Sequence, residues 1–453
     1  MRTETHNQIV SYLLRIPKER IFLRLEKKSY TFGCILELCT EFQNNHPELI
    51  GKNCAIVSED RESLAIYLPA IDSVCNSVFL QPNEINNDEK AFYQSAGVDY
   101  VIRLGNGSVT SIEYVESLRC EGKHKETTAG YILATSGTTG VPKLASYTLS
   151  SLTARAQKNI ERGQEFNWGL SYDINRFAGL QVYLQAIVAG SMLVIPSQGG
   201  AVDSQVQLYA NNQVNCLSAT PSFWRQVLMV PSHKSIPLKR ITLGGEISNQ
   251  SLLNALSNNF PDTNIIHIYA STEAGVGFAV KDKKEGFPTQ YLSEENGLGC
   301  KLKVKNGLLW IKSQHGCSNF VKGKLDLDHE GFINTGDLVD VKNERILFLG
   351  RKSGSINVGG NKVMPEKVES VLEGSPLILM ANVFAIKNPV LGSLVSTDVI
   401  ATEQGKTLSG KELKAELIAF CRNKLEAFEI PVMFKRVETI ETNATGKKIR
   451  NKK

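Results

Sequence analysis

The sequence predicts an α/β protein with a smaller α+β unit following it, and three observations carry that reading. Over the first two-thirds of the chain, short β-branched apolar runs alternate with helical stretches, the pattern of buried, mostly parallel sheets covered by helices. Beyond about residue 300 the texture changes to apolar–polar alternation, which points to antiparallel hairpins forming a small barrel-like part. The small-residue segment Gly350-Arg351-Lys352-Ser353-Gly354-Ser355 then breaks the pattern, and about 100 residues of mixed strand and helix follow. The division expected is a large N-terminal domain, 1–350, and a small C-terminal domain, 351–453, joined across 351–353.

Taken in order, strands are expected at 54–57, 98–103, 131–134, 192–195, 214–219, 240–243 and 264–269, with a helix at 222–230. The most apolar stretch, 180–196, is interrupted by Gln181, Gln185, Gly190 and Ser191 and is too short to span a bilayer. It reads as a buried helix over 180–188 running into the strand at 192. Hairpin strands are expected at 307–313 and 338–349, the second folding back at Lys342-Asn343-Glu344. Pro365 suits a first helical position, so a helix runs over 365–373. Strands near 382–386 and 395–401, a helix at 411–425 and a strand at 432–437 complete the chain. No internal repeat or low-complexity tract is present.

Composition narrows the functional classes. Of 453 residues, 42% are hydrophobic and 21% charged, which excludes a disordered polyelectrolyte and a membrane protein. A net charge of +5 on a chain this long is too weak to argue for nucleic acid. Five cations fall in the final seven residues, ordinarily a solvated tail. Nine cysteines without a Cys-x-x-Cys pair read as reduced packing thiols, and the seven histidines have no metal-ligand spacing. The N-terminus has no apolar run of the secretory kind, and a cytoplasmic protein is expected.

The strongest local signal follows the strand at 131–134: Thr135-Ser136-Gly137-Thr138-Thr139-Gly140-Val141-Pro142-Lys143. Glycines let backbone N–H groups approach an anion, hydroxyls add donors, and the lysine adds full charge, so this is a phosphate-binding loop in physical terms. It lacks the Walker A spacing, which disfavours a P-loop kinase or ATPase. The loop closely resembles the signature of the adenylate-forming superfamily, which contains acyl- and aryl-CoA synthetases, peptide-synthetase adenylation domains and firefly luciferase. Further segments resemble that family's motifs in its order: Ala219-Thr220-Pro221-Ser222, Gly244-Gly245-Glu246, Tyr269-Ala270-Ser271-Thr272-Glu273 and Asn334-Thr335-Gly336-Asp337. Gly350-Arg351, Gly359-Gly360 through Glu369, and Gly446-Lys447-Lys448-Ile449-Arg450 complete the set.

The resemblance implies a two-step reaction. ATP activates a carboxylic acid as its acyl-adenylate with release of pyrophosphate, and a thiol of coenzyme A or of a carrier-protein phosphopantetheine then takes the acyl group. Phosphoryl-type transfer rests on positioning and charge stabilisation, so cationic and N–H-rich parts are required. Thr135, Ser136, Gly137, Thr138, Thr139, Gly140 and Lys143 would cradle the β- and γ-phosphates, and Gly244, Gly245, Glu246 and Tyr269 would line the nucleotide. Thr272 would bond the α-phosphate, and Glu273 would hold Mg²⁺. Asp337 would accept the ribose hydroxyls, with Arg351 donating beside it. Lys447 would bridge substrate carboxylate and α-phosphate. The C-terminal domain would be mobile, turning about a hinge at Ser353 to bring Gly359 and Gly360 to the pantetheine arm.

Departures from the family pattern fall mainly on the transfer side: Ala270 for the usual glycine, Leu144 and Leu149 past the phosphate loop, Ser353 at the hinge and Asn357 for a lysine. None removes a charge needed for adenylation. The acyl pocket stays open to alternatives. Asp173 occupies a position at which an aspartate favours an amino-acid substrate, whereas Arg176 stands where the acyl- and aryl-CoA ligases have histidine; the two could equally form a structural ion pair. Ile247 occupies the serine position of a carrier-like Leu-Gly-Gly-x-Ser, so any carrier would be a separate protein. The competing class is a degenerate ATP- or acyl-AMP-binding scaffold without turnover, against which stand the intact Lys143, Glu273, Asp337, Arg351 and Lys447.

Overall fold

The computed structural model describes residues 8–83, 85, 89–115, 130–135, 142–293, 299–443 and 446–450. Two mixed sheets with parallel interiors form the large domain. The first runs, in spatial order, Gly275–Val280, Asn264–Ser271, Arg240–Gly244, Cys216–Ala219, Asn167–Leu170, Met192–Val194, Ile21–Arg24 and Ser29–Thr31. Its inner pairs are parallel and only its two edge pairs are antiparallel. The second runs Asn319–Lys322, Leu144–Tyr147, Gly130–Ala134, Ser77–Leu80, Asn53–Ser58, Tyr100–Gly105 and Ser108–Tyr114, again parallel at its centre.

Helices cover these sheets because every exposed face of a parallel sheet is apolar. Phe177–Ala189 is apolar on nearly all sides and buried between the sheets. Ile56 and Leu133 of one sheet meet Leu170 of the other and Leu184 of this helix in one continuous core. The expected strands are all present; most differ by a residue or two at their ends, whereas the hairpin expected at 338–349 begins at Ile333 and the strands expected at 382–386 and 395–401 lengthen to Ile378–Asn388 and Gly392–Ala401. Strands without a recognisable motif fill the gaps, including Ser77–Leu80 and Ser108–Tyr114, so the unmotifed first part of the chain builds most of the second sheet.

Five antiparallel strands make the barrel-like part: Phe287–Pro288, Arg345–Arg351, Ile333–Lys342, Leu308–Ser313 and Cys300–Lys305. The turn expected at Lys342-Asn343-Glu344 joins two of them, with Asn343 at φ 53°. Arg351, counted with the C-terminal unit on sequence, pairs with Asp337 as the last residue of its strand. The single exposed turn Lys352–Gly354 follows it.

The C-terminal domain is built on the long hairpin Ile378–Asn388 and Gly392–Ala401, joined by Ile356–Val358, Asn361–Val363 and the parallel strand Met433–Arg436. Helices Pro365–Glu373 and Gly410–Arg422 close a core of its own. Among the described residues, eight cysteines are free and six of them buried, as packing thiols should be.

Candidate active site

In the first sheet, Cys216–Ala219, Arg240–Gly244 and Asn264–Ser271 run side by side in parallel register, with Ala219 opposite Leu243 and Leu243 opposite His267. Their carboxyl ends therefore open along one edge, the place where ligands bind in open α/β sheets. Pro221, Gly245 and Thr272 emerge there, lining a cavity of 840 Å³. A bulge between Tyr269 and Ala270 re-aims the end of the third strand toward it.

Most of the sequence-predicted residues converge on this cavity. Thr135, Gly244, Gly245, Glu246, Tyr269, Ala270, Thr272, Glu273, Asp337, Arg351 and Lys447 all line it, as do Asp173 and Arg176. Tyr269 is stacked between Phe278 and Phe348, with ring centroids 5.2 and 5.4 Å away, and its hydroxyl donates to Asp337 Oδ2 at 2.6 Å. Arg351 Nε donates to Asp337 Oδ1 at 3.1 Å. Asp337 is thus oriented from two sides, and the adjoining Thr335 Oγ1 accepts from its backbone N–H.

Lys447 reaches the cavity on a turn that only glycine fits comfortably. Gly446 has φ 72°, its carbonyl accepts from Thr220 Oγ1 at 2.7 Å, and a Cβ there would come within 3.2 Å of the Thr220 side chain. The Lys447 side chain passes over Gly245, where a Cβ would stand 3.6 Å from its Cε. Burial, and behind it the Arg351 guanidinium, hold this ammonium below the usual lysine range, against the opposing pull of Glu246, Asp337 and Glu273. Glu246 anchors the same segment, accepting from the N–H groups of Ser222 at 2.9 Å and of Lys448 at 3.2 Å.

The Glu273 carboxylate makes no hydrogen bond or ion pair among the described residues, and no group of three or more His, Cys, Asp or Glu side chains gathers there. One unengaged carboxylate at the cavity wall suits Mg²⁺ held jointly with nucleotide phosphates, not in an all-protein cage. His267 also lines the cavity; burial lowers its pKa to about 4, so it stands there as a neutral imidazole.

Of the other expected residues, five fall outside the described residues and Lys143, Ser353, Gly359 and Gly360 do not line the cavity. Ser136, Gly137, Thr138, Thr139 and Gly140 lie outside the described residues. The loop's flanks close on each other: Thr135 N donates to Lys143 O at 2.8 Å, and Lys143 N to Thr135 Oγ1 at 3.3 Å. Lys143 does not line the cavity; its ammonium donates to the carbonyl of Lys324 at 3.2 Å, near the Phe320 ring. Gly359 and Gly360, at φ 56° and 94°, form the two-residue turn between Ile356–Val358 and Asn361–Val363, exposed and away from the cavity. Their glycine requirement is therefore met locally by the turn. Ser353 is exposed in the turn Lys352–Gly354.

Asp173 is held by Arg61, at 2.9 Å with both side chains largely buried, a partner from a segment where the sequence offers no motif. The missed residues are chiefly those of one ionic cluster: Arg225, Asn249 and Glu373 join the domains, while Glu366, Glu369 and the Lys448 ammonium make their ion pairs within the small one. A signal existed for some of them, since Glu366, Glu369 and Glu373 repeat at helical spacing on Pro365–Glu373.

Comparison with known proteins decides the family. Residues 69–300, just over half of the chain, match the AMP-binding enzyme family, and residues 367–447 match the AMP-binding enzyme C-terminal domain. The chain belongs to the AMP-binding enzymes. Among curated relatives of this AMP-binding enzyme, 2-succinylbenzoate–CoA ligase of Bacillus velezensis is 23% identical over 493 residues, covering 100% of this chain and 98% of the relative. The Staphylococcus aureus protein of the same name is 26% identical over 338 residues, 71% of this chain and 66% of the relative. In fold, the chain is similar to o-succinylbenzoate CoA synthetase of Bacillus subtilis in complex with its acyl-adenylate, with TM-score 0.71 and 20% identity over 99% of this chain and 98% of that one. It is also similar to an anthranilate CoA ligase in complex with anthranoyl-AMP, with TM-score 0.76 and 15% identity over 99% and 97%. No helix among the described residues is long and apolar enough to cross a membrane.

Proposed function

We propose that this AMP-binding enzyme is an AMP-forming acid–CoA ligase, and that its C-terminal domain carries the catalytic lysine. The observation that carries the reading is Lys447 standing over Gly245 in the cavity that Asp337, Arg351, Thr272 and Glu273 also line. In the first step the substrate carboxylate attacks the α-phosphorus of ATP, an acyl–phosphate bond forms, and pyrophosphate leaves. Asp337 accepts from the ribose hydroxyls, Thr272 donates to the α-phosphate, and the Lys447 ammonium offsets the repulsion as the two anions meet. Bound at Glu273, Mg²⁺ supplies charge neutralisation on the phosphates. The loop 135–143 holds the β- and γ-phosphates. In the second step the thiolate attacks the acyl carbon and AMP leaves.

Coenzyme A is the acceptor that the named relatives favour. A separate acyl or peptidyl carrier protein is the finer alternative, and a cytoplasmic location accords with both. The small domain, from the turn Lys352–Gly354 onward, would pivot about Ser353 between the steps and carry Gly359 and Gly360 to the thiol arm. With Asp173 committed to Arg61, recognition of an α-ammonium is disfavoured, and the acid is read as an aryl or acyl carboxylate without one. The aromatic Trp168, Tyr172 and Phe177 on the cavity wall suit such a group.

The test is ATP–pyrophosphate exchange across a panel of carboxylic acids including 2-succinylbenzoate and anthranilate, with thioester detected by mass spectrometry after adding coenzyme A. Exchange should appear with at least one acid and fall about a hundredfold or more in Lys447→Ala, on the order of 3 kcal/mol of barrier. No exchange across the panel would leave the non-catalytic scaffold as the better reading.

A further inference from the structure

Lys447 can act only if the C-terminal domain is docked, and a buried ionic cluster beside the cavity links that docking to one residue of the large domain. Arg225 lies on Pro221–Met229, the helix whose first turn is capped by Thr220, the same residue that bonds Gly446. Its guanidinium reaches across the domain boundary. It meets Glu373 Oε2 at 2.8 Å and donates to the carbonyl of Leu379 at 3.0 Å, while Asn249 Oδ1 and Ser251 Oγ hold it from its own side at 2.7 and 3.2 Å. Asn249 Nδ2 donates to Glu373 Oε2 as well, at 2.8 Å.

The other oxygen of Glu373 continues the chain toward the reacting centre. Glu373 Oε1 accepts from Lys448 Nζ at 2.9 Å and from Ala381 N at 3.1 Å. Lys448 Nζ also meets Glu369 Oε2 at 3.2 Å and the Ala381 carbonyl at 2.6 Å. Arg225, Glu373 and Lys448 are at most 10% exposed at their side chains, so these charges act with little solvent screening. Lys448 adjoins Lys447, and its backbone N–H is held by Glu246 of the large domain.

We propose that Arg225 is a positioning residue: through Glu373 and Lys448 it latches the C-terminal domain in the pose that sets Lys447 in the cavity. This rests on the ligase reading above and deepens it. Adenylation needs the latch closed. Any departure of the C-terminal domain must separate Arg225 from Glu373, leaving Glu373 and Lys448 neutralising each other within the small domain and Arg225 on Asn249 and Ser251. Each half therefore keeps a partner when the latch opens, which makes the contact reversible where a lone buried pair would be prohibitive to break.

The test uses the full chain with Arg225→Met, with Arg225→Lys as the conservative variant. Asn249→Asp sets a second carboxylate against Glu373 and should loosen the contact in the same direction. Amide hydrogen exchange is read by mass spectrometry with Mg·ATP alone as the probe. The latch predicts exchange at least about tenfold faster at 446–450 and 378–381 in Arg225→Met, with Arg225→Lys between it and wild type and the amides of Asn53–Ser58 unchanged. Unaltered protection at 446–450 in both Arg225→Met and Asn249→Asp overturns the proposal. The second readout compares ATP–pyrophosphate exchange with coenzyme A thioester formation from synthetic 2-succinylbenzoyl- and anthraniloyl-adenylates. The ratio of the first rate to the second should fall at least about tenfold in Arg225→Met. Equal losses in both steps would make Arg225 merely structural. A wild-type chain active in neither step defeats the ligase reading alone, since amide exchange needs no turnover.

Discussion

Lys447 holds a charge that its surroundings partly discourage. Burial and the Arg351 cation pull its pKa down from the ordinary lysine value, so the ammonium loses its proton at lower pH than a solvated lysine would. If the cation is the form that offsets the meeting anions, pyrophosphate exchange must decline on the alkaline side, with its limb below the usual lysine range. Arg351→Gln removes one of the two lowering influences. Its exchange rate should be weaker at every pH, because a donor at the Asp337 side is lost, yet its alkaline limb should move to higher pH. A pH profile of exchange for both proteins checks this; a limb that stays in place in Arg351→Gln would show that the two cations do not feel each other. Arg351 also ends its strand opposite Asp337, and strand pairing of this kind is a tertiary fact that a Gly-Arg motif does not encode.

The element that matters most is the short turn ending in Lys447, with the helix cap it touches. Thr220 caps Pro221–Met229 by accepting from Phe223 N at 3.1 Å while its hydroxyl proton goes to Gly446 O, so one side chain starts a helix and receives the segment that carries Lys447. Gly446→Ala places a methyl group at φ 72° and within 3.2 Å of Thr220. The expected cost to the turn is about 1–2 kcal/mol, read as roughly a tenfold or greater loss of pyrophosphate exchange with little change in melting temperature. A loss of melting temperature matching the loss of rate would refute this, by placing the effect on the fold and not on Lys447. At this scale the sequence was legible wherever periodicity persisted. The helix Pro365–Glu373 agrees with expectation at both ends because proline marks its start and an amphipathic repeat its length. Short strands such as Asn319–Lys322 and Asn361–Val363 escaped notice because three or four residues carry no period of their own and exist through their partners.

At the scale of the whole molecule, the large domain keeps one buried acid where three segments meet. Asp72 accepts from Ile9 N at 2.7 Å and from Tyr131 Oη at 2.6 Å, tying the N-cap of the short helix Val10–Leu13 to the strand Gly130–Ala134. Burial raises its pKa from 3.8 to about 6, so between those values the folded chain is protonated at Asp72 while the unfolded chain is ionised. Stability from this group is therefore full below about pH 4 and declines as pH rises to about 6, by about 3 kcal/mol in all. Asp72→Asn abolishes that decline. Urea unfolding should show the variant gaining on wild type by about 2 kcal/mol between pH 4.5 and 6.5, whatever its absolute stability. A difference constant with pH would mean that Asp72 stays ionised in the folded state.

The sequence by itself determined the fold class, the family and the order of chemistry-bearing segments, because glycine-rich turns, strand and helix periods and a terminal Gly-Lys-x-x-Arg are local patterns. It also brought Thr272, Asp337 and Lys447 of the cavity to notice, since they stand inside recognisable motifs. Only the tertiary structure decided which partners those residues take. Asp173 pairs with Arg61, 112 positions away, and Glu373 with Arg225 of the other domain. Buried charges must find counter-charges wherever packing delivers them, and that choice depends on three-dimensional distance, which no spacing along the chain records.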